Sequence, residues 1–392
     1  MRAGEREAGA QHLERVARLL PLIASSADDI ERRRRLPGPL VSALHEAGLF
    51  RMLLPRPLGG AELDPVSFVH VLEEISKVDA STAWCLCQTA GCSMSAAYLP
   101  PDVAREIFDA GGVLAWGPGP GARAVAVDAG YRVTGTWSFA SGGHHATWLG
   151  GYCPIFEADG TPRRRPDGSP DARTMLFPAS KAAMLDVWDV IGLRGTGSDS
   201  YRVEDLFVPA AFALVRDDPA ERRHPGALYC FPTGSLFASG FAGVALGIAR
   251  SMLSAFVDLA TGKIARGATR AVRESAVVQS EVARAEARLR SARTFLLGSL
   301  EEIWDAVGRT GVLTLEQRVV IRLAATHAIQ ESKAVADVAY HQAGSTAIFA
   351  GAAFERRFRD IHAVTQQLQG RMAHFETVGR FLLGLEPDTS WL

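Results

Sequence analysis

The chain has 392 residues, and its 42 basic side chains nearly balance its 43 acidic ones, so its formal charge is −1. This balance argues against a nucleic-acid-binding protein, which would carry a clear basic excess. The odd number of five cysteines and a start without a secretion signal predict a protein of the reduced cytoplasm. The apolar runs break before about 18 residues, so no membrane span is predicted.

The first predicted region, residues 1–111, is α-helical. Helices are expected within 36–50, where a proline lies near the start and a glycine near the end, and over 65–78. A further helix is expected to open at the sequence DASTAWCLCQ, with Asp79 or Ser81 as its N-cap. The pattern predicts an N-terminal helical domain.

The pattern changes near Gly111, and residues 112–225 are predicted to form antiparallel β structure. Apolar and polar side chains alternate through YRVTGTWSFAS, residues 131–141, which is typical of a half-buried strand. The residues expected on one face of this strand are Tyr131, Val133, Trp137 and Phe139. Two Asp-Gly pairs between residues 158 and 173 indicate a hairpin tip.

The last region, residues 226–392, returns to a helical period. From Val278 to Val307 apolar residues recur at intervals of three or four and form one continuous stripe, which predicts a long helix in a helical bundle. Thr314 and Gln317 fit a capping box that opens the next helix. The order of helices, β structure and helices predicts an α+β fold with the β part inserted between two helical parts.

The stretch WSFASGGHHATW, residues 137–148, combines aromatic, small and histidine residues. Taken alone, it fits a strand and turn, a metal site or the wall of a pocket for a flat molecule. Cys85 and Cys87 point in different directions on a helix, and the rings of adjacent His144 and His145 face opposite ways in an extended segment. No metal site is therefore predicted.

Four stretches, in fitting order and spacing, resemble signatures of the acyl-CoA dehydrogenase superfamily. They are EAGLFRMLLPRPLGG at 46–60, VTGTWSFASG at 133–142, GLRGTGSDSYRVEDLFVP at 192–209 and GSTAIFAGAAFERRFRD at 344–360. The resemblance extends over almost the full chain. It implies an acyl-CoA dehydrogenase-like fold, with an N-terminal α-helical domain at 1–111, a middle antiparallel β-barrel at 112–225 and a C-terminal four-helix bundle at 226–392.

The resemblance also implies a flavin cofactor, FAD or alternatively FMN. Phe139 matches the aromatic residue that stacks on the flavin ring, and Ser141 matches the hydroxyl residue that hydrogen-bonds near flavin N5 and O4. A flat tricyclic ring needs an apolar face and a donor where reduction adds electron density. Trp116 resembles a preceding flavin-contacting segment, while Thr365 and Gln367 resemble a Thr-x-Gln element near the flavin.

For the diphosphate and adenine half of the cofactor, the resemblance implies a basic segment and a loop. The matching residues are Lys263, Arg266, Arg270, Gln279, Gly344 and Ser345. In such proteins the segment commonly helps to bind the cofactor of a neighbouring subunit. The resemblance therefore implies a homotetramer or a homodimer.

Dehydrogenases of this family use a carboxylate to remove the substrate α-proton. The two usual positions of that base hold Gly351 and Phe237 here, and neither side chain accepts a proton. Glu355 resembles a structural acid of the terminal motif. This pattern disfavours ordinary dehydrogenation of an acyl-CoA thioester.

A second branch of the family, the two-component flavin monooxygenases, takes reduced flavin from a separate reductase and forms a C4a-hydroperoxide with oxygen. The chain resembles this branch in STAW at 81–84, in SFASG and in the run GSTAIF–RRFRDIH, although the branch's usual histidine positions hold Cys92 and Gln367. The resemblance implies hydroxylation of a small organic substrate. The alternatives are a dehydrogenase with a displaced base and a flavin-binding scaffold without turnover.

Site residues follow from this resemblance. The catalytic candidates are Ser141, Cys92, His145 and Gln367, and the residues expected on the substrate side are Trp84, Cys92 and His145.

Overall fold

The structure, a computed structural model, describes residues 3–390 and 392. The helices of the first part are α1 (Ala3–Arg33), α2 (Gly38–Glu46), α3 (Pro65–Ser76), α4 (Ala80–Ser93) and α5 (Pro101–Phe108). The strands are β1 (Leu114–Trp116), β2 (Arg123–Val127), β3 (Gly130–Trp137), β4 (Trp148–Phe156), β5 (Ala172–Pro178), β6 (Ala183–Leu185), β7 (Ser200–Pro209) and β8 (Ala213–Leu214). The last helices are α6 (Thr233–Gly262), α7 (Ala276–Thr310), α8 (Leu315–Ala343), α9 (Glu355–Gln366) and α10 (Ala373–Leu382).

Aspartate caps begin two of the N-terminal helices. The Asp79 carboxylate accepts a hydrogen bond from the backbone N–H of Thr82 at 2.7 Å, which confirms one of the two predicted caps of α4. Asp64 caps α3 in the same way, accepting from the N–H groups of Val66 and Ser67 at 3.0 and 2.9 Å. Helices α2 and α3 confirm the helical predictions for this region.

The sheet runs in the order β6-β7-β3-β2-β4-β5-β8, with β1 beside β4. Its β1–β4 and β2–β4 pairs are parallel, and it ends at β6 and β8 without closing. The predicted antiparallel barrel is therefore corrected to an open mixed sheet. The sheet is mixed because β3 runs antiparallel to β2, and the connection 138–147 then turns the polypeptide back so that β4 runs parallel to β2.

Strand β3 ends at Trp137, so the strand predicted over 131–141 is wrong in its last part. Trp137 is fully buried, whereas Phe139 is 62% exposed. Phe139 has φ +59°, in the left-handed region that non-glycine residues seldom adopt. The chain therefore leaves the sheet before Phe139, and the two aromatic rings do not share a face.

Helix α6 is long and apolar enough to span a membrane, with a window of mean hydropathy 1.5. The expectation that every apolar run breaks earlier is therefore wrong, because its glycine and serine residues do not lower the hydropathy enough. However, 72% of that window is buried inside the protein, and α6 packs against α3, α4 and α8. A core helix passes the same test, so this is weak evidence for a membrane span.

The apolar stripe predicted from Val278 to Val307 lies on α7 and is buried along its length. Thr314 and Gln317 form the predicted capping box, with N–H···O distances of 2.8 and 3.2 Å. Helices α6, α7 and α8 pack on one another, and α9 and α10 pack on α8. The C-terminal part is thus helical as predicted, while the four-helix bundle and the domain boundaries at 111 and 225 stay predictions.

Candidate active site

A chain of four hydrogen bonds lies where the end of β3 meets α4. The Trp84 indole N–H donates to Ser141 Oγ at 3.0 Å, and Ser141 Oγ lies 2.6 Å from Ser198 Oγ. Ser198 Oγ lies 2.7 Å from Thr196 Oγ1, and the Thr196 hydroxyl donates to the Leu193 carbonyl at 2.8 Å. All four side chains that carry these groups are at most 5% exposed. The predicted site residues Trp84 and Ser141 are therefore in direct contact.

Leu193 links this chain of hydrogen bonds to helix α9. Its backbone has φ +51°, and its N–H donates to Asp360 Oδ1 on α9 at 2.6 Å. Its carbonyl also accepts the Trp188 indole N–H at 3.2 Å. The Trp188 ring in turn lies edge-on to Phe139, with a centroid distance of 6.0 Å. One residue thus connects α9 to both Phe139 and Ser141.

Asp360 is fully enclosed by protein. Burial raises the pKa of its carboxyl to about 7, against the lowering effect of the Leu193 N–H, while the nearby acids Asp79 and Glu31 raise it further. Its position on α9 lets one carboxyl oxygen satisfy a backbone N–H of a strained turn. Asp360 therefore fixes the turn from the far side of the site.

Backbone hydrogen bonds join the loop after β3 to the loop before β7. The Ala140 N–H donates to the Asp199 carbonyl at 3.1 Å, and the Gly142 N–H donates to the Thr196 carbonyl at 3.0 Å. Gly142 has φ +75°, and a side chain there would press on the Thr89 methyl group, so glycine fits this turn. The two loops form one unit around Phe139.

The two adjacent histidines of the opening stretch have separate structural partners. They lie in a short 3-10 turn, Gly143–His145, and not in an extended segment. His144 Nε2 lies 2.7 Å from Asp199 Oδ2, while the other carboxylate oxygen accepts two backbone N–H groups. Burial opposes ionisation of Asp199, but these hydrogen bonds outweigh it and lower its pKa.

His145 faces the connection between α1 and α2, where its Nε2 accepts the Leu36 N–H at 3.2 Å. Burial and, to a smaller extent, the charges of His144, Arg35 and His45 lower the pKa of His145 to about 4. A neutral imidazole that accepts a backbone N–H at this connection holds the Gly143–His145 turn against the N-terminal domain. Among the described residues, no cluster of three histidine, cysteine or acidic groups could hold a metal ion.

An aromatic wall adjoins the hydroxyl chain. The Trp84 ring stacks on Phe241 at 3.9 Å, and Phe241 stacks on Phe237 at 5.8 Å. Phe237 also packs so closely on Gly91 that any side chain there would collide with its ring. The family's alternative base position is therefore occupied by a phenyl group in an apolar wall.

Cys92 lies on the same helix face as Gln88, close to Trp116. The Gln88 amide donates to the Trp116 carbonyl at 3.1 Å and contacts Cys92 Sγ at 3.5 Å. Burial raises the pKa of the Cys92 thiol to about 12, so the group is neutral in the folded protein. The Arg216 guanidinium lies over the Trp116 ring at 4.6 Å, which fixes that indole from the other side.

The first residue of the basic segment after α6 contacts the start of the loop after α8. Lys263 Nζ donates to the Ala343 carbonyl and to Thr346 Oγ1, the latter at 2.8 Å, and Gly344 lies against the same ammonium group. The side chains that remain exposed are Arg266, Arg270, Gln279 and Ser345. The structure thus places Lys263 beside Gly344, while the binding roles of these residues stay predictions.

The Thr-x-Gln element lies at the end of α9. The Thr365 hydroxyl donates to the His362 carbonyl at 2.8 Å, and Gln367 Oε1 accepts the Gln369 N–H at 2.6 Å. Gln369 in turn accepts a hydrogen bond from buried Arg322. The Gln367 side chain therefore caps the next turn, and its amide nitrogen is the group left for a ligand.

No carboxylate takes the place of the family's base at the two usual positions. Gly351 lies in an exposed loop, and Glu355 forms an ion pair with Arg359, with an N–O distance of 2.5 Å. Arg359 also contacts Glu31 on α1 at 2.8 Å. Glu355 thus belongs to an ion-pair network that joins α9 to α1.

These residues fit a flavin ring. An exposed phenyl group on strained backbone offers an apolar face, and strain of this kind is frequent where a protein clamps a ligand. Ser141, two residues on, offers a polar atom at the edge of that face. Sequence reasoning missed the residues that hold this pair in place, namely Trp188, Leu193, Thr196, Ser198, Asp199 and Asp360. For Thr196, Ser198 and Asp199, the signal present in the sequence is the hydroxyl-rich run GTGSDS at 195–200.

Comparisons with known proteins identify the family. The profile "Acyl-CoA dehydrogenase, C-terminal domain" matches residues 239–369, and "Acyl-CoA dehydrogenase, N-terminal domain" matches residues 15–99. The chain is 30% identical to an indole-3-acetate monooxygenase of Pseudomonas putida, over 93% of this chain and 91% of that protein. It is 28% identical to the oxygenase component of an FADH2-dependent resorcinol hydroxylase of Rhizobium sp. (strain MTP-10005), over 95% and 94% of the two chains.

Comparison with a solved structure supports the same family. The crystal structure of 3-HSA hydroxylase from Rhodococcus sp. RHA1 superimposes with a TM-score of 0.88 at 26% identity, covering 97% of this chain and 99% of that one. The chain belongs to the acyl-CoA dehydrogenase superfamily, in its branch of flavin-dependent monooxygenases.

Proposed function

We propose that this protein is the oxygenase component of a two-component monooxygenase that binds reduced FAD and hydroxylates a small organic substrate. The observation that carries the proposal is the bend after β3. There an exposed Phe139 on left-handed backbone stands two residues from the buried Ser141 hydroxyl. A planar ring with a polar edge is the ligand that matches such a pair.

Each residue has a defined task in this proposal. Phe139 packs on the face of the ring, and Trp188 keeps that phenyl from turning away. Ser141 holds the ring edge near N5. The wall of Trp84, Phe237 and Phe241 keeps water from the reacting face. Bound reduced flavin supplies the electrons with which molecular oxygen is activated.

The chain's own residues disfavour the dehydrogenase alternative. Removal of an α-proton needs a base, and the positions from which the family supplies it hold Gly351 and Phe237. Glu355 is engaged by Arg359. The neutral Cys92 thiol is not a base either, because its pKa is near 12.

FAD is favoured over FMN by the basic segment. Arg266 and Arg270 are exposed arginines able to bind phosphate oxygens in pairs. We propose that they hold the diphosphate of a cofactor bound to a second copy of the chain, in a homodimer or homotetramer. A separate reductase would deliver the reduced flavin, in the cytoplasm, where the five free thiols stay reduced.

Anaerobic titration with reduced FAD and reduced FMN tests the cofactor, and rapid mixing of the loaded protein with oxygen tests the reaction. A transient near-ultraviolet absorbance is expected on adding oxygen. Bleaching of oxidised flavin by acyl-CoA thioesters would instead favour the dehydrogenase. Binding without either response would favour a scaffold, and no affinity for either redox state of flavin would overturn all three.

A further inference from the structure

The two ends of the hydroxyl chain have fixed hydrogen-bonding roles. At one end the Trp84 indole N–H donates only, and Ser141 Oγ therefore accepts at that contact. At the other end the Leu193 carbonyl accepts only, and Thr196 therefore gives it its hydroxyl proton. The direction of the two bonds between these ends follows from counting protons.

Three hydroxyl groups have three protons to share among three bonds. Because the Thr196 proton goes to the Leu193 carbonyl, the 2.7 Å bond between Thr196 and Ser198 must use the Ser198 proton. The 2.6 Å bond between Ser198 and Ser141 must then use the Ser141 proton. All three bonds are made together only if the protons run from Ser141 to Ser198 to Thr196 to Leu193.

Burial favours this arrangement over the reversed one, because it makes one more hydrogen bond within the protein. Ser141, Ser198 and Thr196 are 4%, 2% and 1% exposed, so water does not replace a missing partner readily. Within residues 3–390, neither the Ser141 nor the Ser198 hydroxyl has another side-chain or backbone partner in hydrogen-bonding distance. Reversal of the bonds would leave the Ser141 proton without an acceptor among these groups and would remove the Thr196 hydroxyl from the Leu193 carbonyl, which would keep the Trp188 indole N–H and the Thr196 N–H as donors.

In this favoured arrangement the Ser141 hydroxyl is an acceptor toward a ligand. Its proton is used by Ser198 and one lone pair by Trp84, which leaves one lone pair. At flavin N5, the reduced ring carries an N–H donor, whereas the oxidised ring presents a lone pair. Two lone pairs repel, so the site distinguishes the two redox states. The donor role expected from the resemblance is replaced by an acceptor role.

We propose that Ser198 and Thr196 are positioning residues that keep the Ser141 hydroxyl an acceptor and thereby make the site selective for reduced over oxidised flavin. This inference rests on the proposed function, because it needs the flavin ring beside Ser141. This positioning role differs from a merely structural role in one respect. Loss of the hydrogen-bond chain changes the ratio of the affinities for oxidised and reduced flavin, and not only the fold.

The test measures dissociation constants of oxidised and anaerobically reduced FAD for the wild type and for Ser198→Ala and Thr196→Val. Either substitution frees the Ser141 hydroxyl to turn its proton toward the ligand. The wild type is expected to bind reduced FAD more tightly. The ratio of oxidised to reduced dissociation constants is expected to fall about tenfold in both variants, which corresponds to a bound-flavin potential about 30 mV more negative.

Thr89→Val is the matched control. Thr89 is 1% exposed and packs near Gly142, but its hydroxyl donates to the Cys85 carbonyl at 2.9 Å and lies outside the chain. Its affinity ratio should equal that of the wild type. Should Ser198→Ala fail to fold, Ser198→Cys replaces it, because a thiol keeps a weak donor. The ratio of oxidised to reduced dissociation constants for Ser198→Cys is expected to lie between those of the wild type and Thr196→Val.

The outcomes separate the two proposals. An unchanged ratio in both chain variants, or a wild type that prefers oxidised FAD, overturns the inference while the proposed function stands. A wild type that binds neither redox state overturns the proposed function itself.

Discussion

The two halves of the proposed cofactor site differ in how completely one chain builds them. Around Phe139 and Ser141 the polar groups have partners within the chain, from the Trp84 indole through the hydroxyls to Asp360 on α9. The basic segment after Lys263 is different, because Arg266 and Arg270 are exposed. One half has its polar groups paired before any ligand binds, whereas the arginines of the other half face solvent.

The ring half and the diphosphate half of the site are therefore expected to contribute to binding in different ways. A preorganised half loses little conformational entropy when the ring docks, so it sets geometry and redox preference. An exposed, arginine-rich half loses more side-chain freedom and acts mainly through charge. We expect substitutions in the first half to change stability and chemistry, and substitutions in the second half to change only the choice of cofactor.

Truncation of Trp84 should have the largest effect. Trp84→Ala removes a buried ring that stacks on Phe241 at 3.9 Å, together with the donor to Ser141. We expect the free energy of unfolding to fall by about 3–5 kcal/mol, which denaturant titration measures. Trp84→Phe keeps most of the packing and should lose only about 1–2 kcal/mol.

The free energy of unfolding can also be measured for a substitution in the basic segment. Arg266→Ala changes an exposed side chain and should alter stability by less than about 0.5 kcal/mol. Equal losses for Trp84→Ala and Arg266→Ala would contradict the view that only the ring half is rigidly built.

Acidification should weaken the rigid half next. His145 is neutral in the fold, with a pKa near 4 against an ordinary 6.5, so the unfolded chain binds a proton that the folded chain does not between these values. Stability contributed by this group is full above pH 6.5 and is lost as the pH falls to 4. We expect a loss of about 2 kcal/mol over that window.

His145→Gln isolates this contribution, because glutamine does not titrate and its carbonyl can still accept the Leu36 N–H. The variant should show a shallower fall in unfolding free energy between pH 6.5 and 4 than the wild type. Identical pH profiles would remove His145 as the cause. The segment 263–279 contains no histidine, so it gives no such dependence.

Regular patterns allowed much of the fold to be predicted from the sequence. The stripe on α7 and the caps at Asp79 and Thr314 depend on residues close in sequence, and the structure confirms them. The end of β3 was missed for the opposite reason. Backbone contacts with Asp199 and Thr196, more than fifty residues later, turn the chain at Phe139, and alternation does not report such contacts.

The candidate site divides in the same way. Family signatures pointed to Phe139 and Ser141, while the partners of Ser141 lie 57 residues away on either side, at Trp84 and Ser198. Asp360 is farther still, 167 residues from Leu193. A buried hydrogen-bond chain of this kind depends on how separate loops meet, so only the structure reveals it.

Removal of charge from the basic segment should affect FAD more than FMN. Arg266→Ala combined with Arg270→Ala is expected to weaken reduced FAD about tenfold, because phosphate contacts of about 1.4 kcal/mol are lost. Reduced FMN, which lacks the second phosphate and the adenosine, should bind as before. Titrations at low and high salt measure both, and the FAD difference should shrink at high salt.

Arg284→Ala is the control for net charge, since Arg284 is exposed on α7 and pairs with Glu281, at 3.7 Å. Its affinity for FAD should match that of the wild type. Equal weakening of FAD and FMN by the double substitution would show that the segment does not meet the diphosphate.

The smallest effect is expected at Cys92, although the sequence places it among the catalytic candidates. The thiol is fully buried and its pKa is near 12, so it does not exchange a proton at neutral pH. Cys92→Ala should change the hydroxylation rate less than about threefold and stability by about 1 kcal/mol. Steady-state rates and denaturant unfolding measure the two quantities.

Alkylation provides an independent check within one sample. Cys230 is partly exposed, whereas Cys92 is fully buried. Iodoacetamide should therefore label Cys230 well before Cys92, as peptide mass spectrometry would show. Rapid labelling of Cys92 in the folded protein would show an accessible, ionisable thiol. Together with loss of turnover in Cys92→Ala at intact flavin affinity and stability, it would instead make Cys92 part of the chemistry.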